Sequence, residues 1–138
     1  MPARFVDTNV LLYAVSQEPD ERDKAERANE LLTDRELVLS VQVLQEFYVQ
    51  ATRASRPDRL SHDQASRLVE SFLRFRVVPV TTGILIGAIA TSDRFGISYW
   101  DAAILEAARS AGCEILHSED LSDGEDYAGI RVENPFAA

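Results

Sequence analysis

Short β-like runs alternate with helical stretches along the chain, and this alternation limits the fold more than any other feature. Arg4-Phe5-Val6, Leu37-Val38-Leu39-Ser40, Val77-Val78-Pro79-Val80, Glu114-Ile115-Leu116-His117 and the shorter Gly129-Ile130-Arg131-Val132 read as strands. Helical patterns fill 10–15, 21–32, 41–53, 61–72, 82–93 and 100–111. The second carries Ala25, Ala28, Leu31 and Leu32 at helical spacing. No hairpin signal joins one strand to the next. Strands separated by helices predict an α/β fold: a mostly parallel sheet of four or five strands with helices on both faces. Pro79 predicts a strand end or an edge position. With no repeat, linker or low-complexity tract, residues 1–138 read as a single domain.

In such a sheet, ligands gather at the carboxyl ends of the strands. The residues at those exits are Asp7, Ser40, Thr81 and Ser118-Glu119-Asp120. Composition narrows what they can do. The chain has 14 basic and 23 acidic residues, a formal charge of −9. That argues against a general electrostatic nucleic-acid binder, and suits a carboxylate metal site or a basic protein partner. The lone cysteine, Cys113, excludes an intramolecular disulfide framework and a multi-cysteine zinc site, and favours a reducing compartment. No apolar run reaches membrane-spanning length. Met1-Pro2-Ala3-Arg4-Phe5 runs into a strand without a signal-peptide pattern, so a cytoplasmic protein is expected. Residues 53–76 hold six arginines against three acids. This stretch is either a solvated helical hairpin or a phosphate-contact surface, with Arg53, Arg56 and Arg59 the candidates.

Each acid has two readings. Asp7, in Asp7-Thr8-Asn9, is a helix cap or a metal-binding carboxylate at the sheet edge. Asp101, in Ser98-Tyr99-Trp100-Asp101, matches a capping pattern. It opens the helix that feeds strand four, and is expected at the other sheet edge unless that helix is tilted or short. Asp120 lies in the acidic turn Ser118-Glu119-Asp120-Leu121-Ser122-Asp123-Gly124. Glu46 shares a polar helix stripe with Gln42, Gln50 and Arg53, opposite the apolar face, and reads as solvent-exposed. Clustered carboxylates repel and call for a cation. Oxygen donors without Cys or His point to Mg²⁺ or Mn²⁺. Such an ion activates water and neutralises phosphoryl charge, which implies phosphodiester hydrolysis.

Phe5-Val6-Asp7-Thr8-Asn9-Val10-Leu11-Leu12-Tyr13-Ala14 resembles the opening motif of PIN-domain nucleases. Val43-Leu44-Gln45-Glu46-Phe47-Tyr48 is similar to their second motif. Ile97-Ser98-Tyr99-Trp100-Asp101-Ala102-Ala103-Ile104 resembles the third, in the form typical of VapC toxins. Leu116-His117-Ser118-Glu119-Asp120-Leu121, Asp123-Gly124 and Ile130-Arg131-Val132-Glu133-Asn134-Pro135-Phe136 resemble the closing segment. The resemblance covers nearly the whole chain in order. It implies a three-layer α/β/α sandwich and a Mg²⁺-dependent endoribonuclease of a toxin–antitoxin pair, with a VapB-type antitoxin as partner. It also implies a catalytic set of Asp7, Glu46, Asp101 and Asp120. Asp7, Asp101 and Asp120 would hold metal, Thr8 and Asn9 would support them, and Asp123 would be an outer ligand. Homodimers are common in that family. The helix around Ile84, Leu85, Ala88 and Ile89 is a candidate surface, although core packing is the more economical reading.

Other classes fit less well. A binding module of the same fold that has lost catalysis would normally lack an acid, and none is missing. A phosphoacceptor domain needs a lysine near a strand end, and Lys24, the only lysine, falls in an early helix read as exposed. A metal-free histidine nuclease would have only His62 and His117 to use, both read as structural or surface residues. Cys113 reads as a small buried residue. Trp100 and Tyr99 could stack on a base, but Trp100 is expected to pack in the core at a helix start.

Overall fold

A computed structural model describes residues 3–137. Met1 and Pro2, read above as leading into the first strand, lie outside the described residues, as does Ala138. The elements are β1 (Arg4–Val6), α1 (Thr8–Ala14), a 3₁₀ turn (Pro19–Glu21), α2 (Arg22–Leu31), β2 (Leu37–Ser40), α3 (Val41–Ala51), α4 (His62–Phe72), β3 (Arg76–Val78), α5 (Thr82–Phe95), α6 (Tyr99–Ser110), β4 (Ile115–His117), β5 (Asp126–Tyr127) and β6 (Ile130–Glu133). The strands form one sheet in the order β3-β2-β1-β4-β6-β5. All pairings are parallel except β5 with β6. Helices flank this sheet in a three-layer α/β/α sandwich, as expected.

Burial explains the arrangement. All four residues of β2 are buried, the pattern of a strand covered on both faces. Phe5, Val6, Leu39 and Leu116 have no exposed surface, and Phe47 of α3 packs edge-on against Phe72 of α4 at 5.2 Å. Cys113 is buried, as expected. β3 ends at Val78, one residue before Pro79, and lies at the sheet edge. Both readings of that proline hold.

Three expectations are corrected. First, the sheet has six strands rather than four or five. Second, a hairpin is present: Tyr127 pairs with Ile130 across the two-residue turn Ala128-Gly129, with φ of 55° and 98°. Such a turn normally shows itself as Asn-Gly or Asp-Gly, and alanine is a poor signal for positive φ. Third, α5 is only partly packed into the core: Ile84 and Phe95 rest against it, but other large residues do not. Ala88 packs against Ala102 and Ala103 of α6. Small residues at that contact let the helices close up, and Leu85, Ile86 and Ile89 are left exposed.

α5 ends on Gly96, at φ 65°, whose N–H donates to the Ser92 carbonyl at 2.9 Å. The space around Gly96 is open, so a side chain there meets only the conformational penalty. Gly96→Ala should therefore lower stability by about 1 kcal/mol, seen as a lower denaturation midpoint with an unchanged m-value.

Candidate metal-dependent active site

The parallel register of β1 and β4 builds the site. Val6 lies opposite His117, so the next residues, Asp7 and Ser118, leave the sheet side by side. Asp7 N–H donates to the His117 carbonyl at 3.0 Å, which continues the ladder by one bond. The Asp7 carboxylate is only 3% exposed. Its Oδ1 accepts from Thr8 N–H at 2.7 Å, and its Oδ2 accepts from the Ser118 hydroxyl at 2.8 Å. Ser118 Oγ also accepts from Asp120 N–H at 3.1 Å. One buried hydroxyl thus ties the loop after β4 to the carboxylate after β1. The cap reading holds, since Asp7 caps α1, and it does so at the carboxyl edge of the sheet.

Glu46 is not the solvent-facing residue its helix stripe suggested. It is half-buried and held at both oxygens: Thr8 Oγ1 donates to Oε2 at 3.3 Å, and Gln42 Nε2 to Oε1 at 2.8 Å. A helix lying across a sheet edge has a third environment, and the polar stripe of α3 faces it. The same Gln42 amide donates to the Trp100 carbonyl at 3.1 Å, which joins α3 to the start of α6.

Asp101 lies on the same edge, contrary to the expectation drawn from the chain path. A helix that feeds a parallel strand descends beside it, so its N-terminus stands over the strands' carboxyl ends. Ser98 caps α6 by accepting from Asp101 N–H at 3.1 Å. The pKa of Asp101 is raised: burial pushes it up, the Ser98 hydroxyl works against this, and the charge of Asp120 adds to it. Asp7 is raised to about 7, first by burial, with its two hydrogen bonds opposing and the charges of Asp120 and Glu46 adding. These couplings bring the four acids into one field. Asp7 forms the floor, Glu46 and Asp101 are half-buried, and Asp120 is exposed at the rim.

The neighbouring acids of the β4 loop are engaged elsewhere. Lys24 Nζ donates to Glu119 Oε2 at 2.6 Å, and the Tyr13 hydroxyl donates to Glu119 Oε1 at 2.6 Å. Burial pushes the Glu119 carboxyl up, but these two donors more than offset it and hold it below its usual range. Lys24 is thus a partner of this loop rather than a bystander on an exposed helix, and it lies over the Tyr13 ring at 4.7 Å. Asp123 Oδ1 accepts from Asn134 N–H at 2.8 Å and ties the loop to the segment after β6. Asn9 Oδ1 accepts from Glu119 N–H at 3.4 Å, while its buried Nδ2 has no partner and is a spare donor at this edge.

The donor set suits a hard divalent cation in kind: oxygen only, with one carboxylate whose burial disfavours an uncompensated charge. Among the described residues no three His, Cys, Asp or Glu side chains already stand as a closed metal-binding group. A cation would have to draw the rim and wall carboxylates inward.

Of the arginines, Arg53 lines a groove that Glu46 and Trp100 also line. Arg56 pairs with Asp58 at 3.0 Å, and Arg59 Nε donates to the Thr52 carbonyl at 3.0 Å. Trp100 is 65% exposed rather than packed in the core. His117 is buried in β4, and burial lowers its pKa. Ser118 is the participant that sequence reasoning passed over. Its signal was its place at a strand exit directly across from Asp7.

The family model of the PIN domain matches residues 4–122. No curated protein matches the chain by sequence. Among solved structures, the chain is similar to a toxin–antitoxin complex from Klebsiella pneumoniae, with TM-score 0.72 and 21% identity over 99% of this chain and 100% of that one. It is similar to VapC20 of Mycobacterium tuberculosis, described as a sarcin-ricin loop cleaving toxin, with TM-score 0.67 and 19% identity over 86% of this chain and 90% of that one. DNA-bound VapBC from Salmonella typhimurium gives TM-score 0.65 and 23% identity over 98% and 99%. At these identities the likeness is one of fold.

The raised pKa of Asp7 makes a pH prediction. Between about pH 3.8 and 7 the folded metal-free protein keeps a proton on Asp7 that the unfolded chain has released, so stability falls as pH rises through this window. Asp7→Asn removes the charge, keeps an acceptor for Thr8 N–H, and can hold Ser118 by a reversed bond in which the amide donates to Oγ. In EDTA it should match the parent near pH 3.8 and exceed it increasingly up to pH 7, by at most about 4 kcal/mol, then level off. A stability difference that does not vary with pH would show that Asp7 is not held protonated.

Proposed function

The chain belongs to the PIN domain family, and from that premise we propose that it is a single-domain, metal-dependent endoribonuclease that acts as a toxin under the control of an antitoxin. The observation that carries this reading is the buried Asp7 held in one field with Glu46, Asp101 and Asp120. Asp7, Asp101 and Asp120 would hold the ion, Mg²⁺ by donor chemistry with Mn²⁺ as a substitute. When bound, the ion lowers the pKa of water and neutralises charge on the phosphoryl group. Glu46, fixed by Thr8 and Gln42, orients the attacking water and accepts its proton. Ser118 and Thr8 hold Asp7 in place, and the spare Asn9 amide donates to a phosphate oxygen. Arg53, Arg56 and Arg59 are the arginines offered to the RNA backbone: Arg53 lines the acids' groove, while Arg56 and Arg59 would have to leave Asp58 and the Thr52 carbonyl.

The VapC20 fold relative, described as cleaving the sarcin-ricin loop, supports RNA as the substrate. The complex from Klebsiella pneumoniae supports an antitoxin as partner, and VapBC from Salmonella typhimurium supports one of the VapB type. A net charge of −9 suits a basic antitoxin, and an antitoxin arginine reaching among the acids would stand where the ion stands. The exposed Leu85, Ile86 and Ile89 of α5 suit a homodimer. Among the described residues no helix is long and apolar enough to cross a membrane; a cytoplasmic location is part of the proposal and follows from the antitoxin-controlled ribonuclease reading.

The purified chain should cut RNA with Mg²⁺ or Mn²⁺ and stop in EDTA. Asp7→Asn, prepared identically, should lose at least about a hundredfold in rate, on the scale of a lost catalytic group. Folded, antitoxin-free protein that cuts no RNA class with either metal would instead favour a binding module of this fold.

A further inference from the structure

The only tryptophan of the chain stands in an unexpected place. Trp100 sits in the first turn of α6, immediately before Asp101, with 65% of its surface exposed. Leaving so large an apolar side chain in water forgoes its burial energy, and the fold gains no core contact in return. Its position is nonetheless fixed. Its backbone carbonyl accepts from Gln42, the amide that also holds Glu46. The Tyr99 ring meets the indole at 5.0 Å and 84°.

Beside it lies a groove of about 410 Å³, whose lining includes Gln45, Glu46, Val49, Gln50, Arg53 and Trp100. That volume suits a small organic ligand. The chemistry is mixed in a particular way. Trp100 offers an aromatic face, and Val49, 55% exposed, an apolar surface. Gln45 and Gln50 offer amide donors and acceptors, and Arg53 the only positive charge of the lining. None of the ion pairs among the described residues uses Arg53. Aromatic face, amide edges and one cation together match a nucleotide: base on the indole, base edge on the amides, phosphate on the guanidinium. A purely apolar partner segment would leave the amides and Arg53 unpaired. Glu46 lines this groove and belongs to the acid cluster, so the groove is continuous with the reacting centre.

We propose that Trp100 is a stacking platform for an unpaired base of the RNA substrate, one position away from the phosphate to be cut, with Arg53 on the flanking phosphate. This rests on the nuclease reading and adds to it a residue that holds the substrate: a base has to be free of its own stack to reach the indole. Trp100 is a positioning residue, since it touches substrate away from the reacting atoms.

Because there is one tryptophan, its fluorescence reports this site alone. The full-length chain in EDTA would be titrated with a short single-stranded RNA, the same RNA in a duplex, and an abasic ribose-phosphate oligomer of equal length. Binding would be followed independently by anisotropy of labelled RNA. The single strand should quench Trp100, whereas the duplex and the abasic oligomer should quench it far less at equal occupancy. Trp100→Ala should weaken single-strand binding by about tenfold or more, and Trp100→Phe should restore most of it. With Mg²⁺, Trp100→Ala should raise KM more than it lowers kcat. If RNA binds and is cut while Trp100 is unquenched and Trp100→Ala binds normally, the platform is wrong and the nuclease reading survives. If no RNA binds or is cut, both fail together. If quenching instead tracks protein concentration without RNA, the indole is buried between copies of the chain and the proposal is overturned.

Discussion

The hydrogen bond from Ser118 to Asp7 is the interaction on which the site depends. It joins residues 111 positions apart, and it exists only because β1 and β4 pair in parallel with Val6 opposite His117. A one-residue slip would move both side chains to the other face of the sheet. The same hydroxyl accepts from Asp120 N–H, so the turn bearing the rim acid takes its position from the floor acid. The Lys24–Tyr13–Glu119 cluster fixes the same turn from outside. It also removes one carboxylate from the charge that the remaining acids present.

This arrangement costs stability. A carboxylate with almost no exposure, pushed up to about 7 and close to two other acids, would be better replaced by a neutral group if folding were the only demand. The surrounding core, from Phe5 through Phe47 to Leu116, is apolar and fully buried and can carry that local penalty. The groove with Trp100 has the same character on a smaller scale: an apolar surface left in water beside a polar wall.

The layout was legible in the sequence because alternating runs and capping residues act locally. Asp7 and Asp120 could be assigned to one edge from strand polarity alone. Most of what the sequence does not show concerns orientation between elements. Periodicity sorts Glu46 and Trp100 only between core and solvent, whereas a helix over the sheet edge presents a third face. Chain path alone puts Asp101 at the wrong edge unless the descent of α6 toward β4 is followed back to its start. Lys24 belongs to an early helix, but its length lets it reach the loop after β4. The hairpin at Ala128-Gly129 was hidden because the turn uses an alanine at positive φ. The fourfold carboxylate set itself came from resemblance to a family and not from periodicity.

The strand order has a temporal meaning. β1 lies at the centre of the sheet, where the order turns from β2 and β3 on one side to β4 and β6 on the other. The floor acid precedes its serine partner and the rim acid by more than a hundred residues. β1, β2, β3 and α3 can form on the ribosome while Asp7 has only Thr8 and Glu46 beside it. The acidic pocket is complete only once β4 and the loop after it have been made, so a strand laid down first waits on a late neighbour to fix its carboxylate.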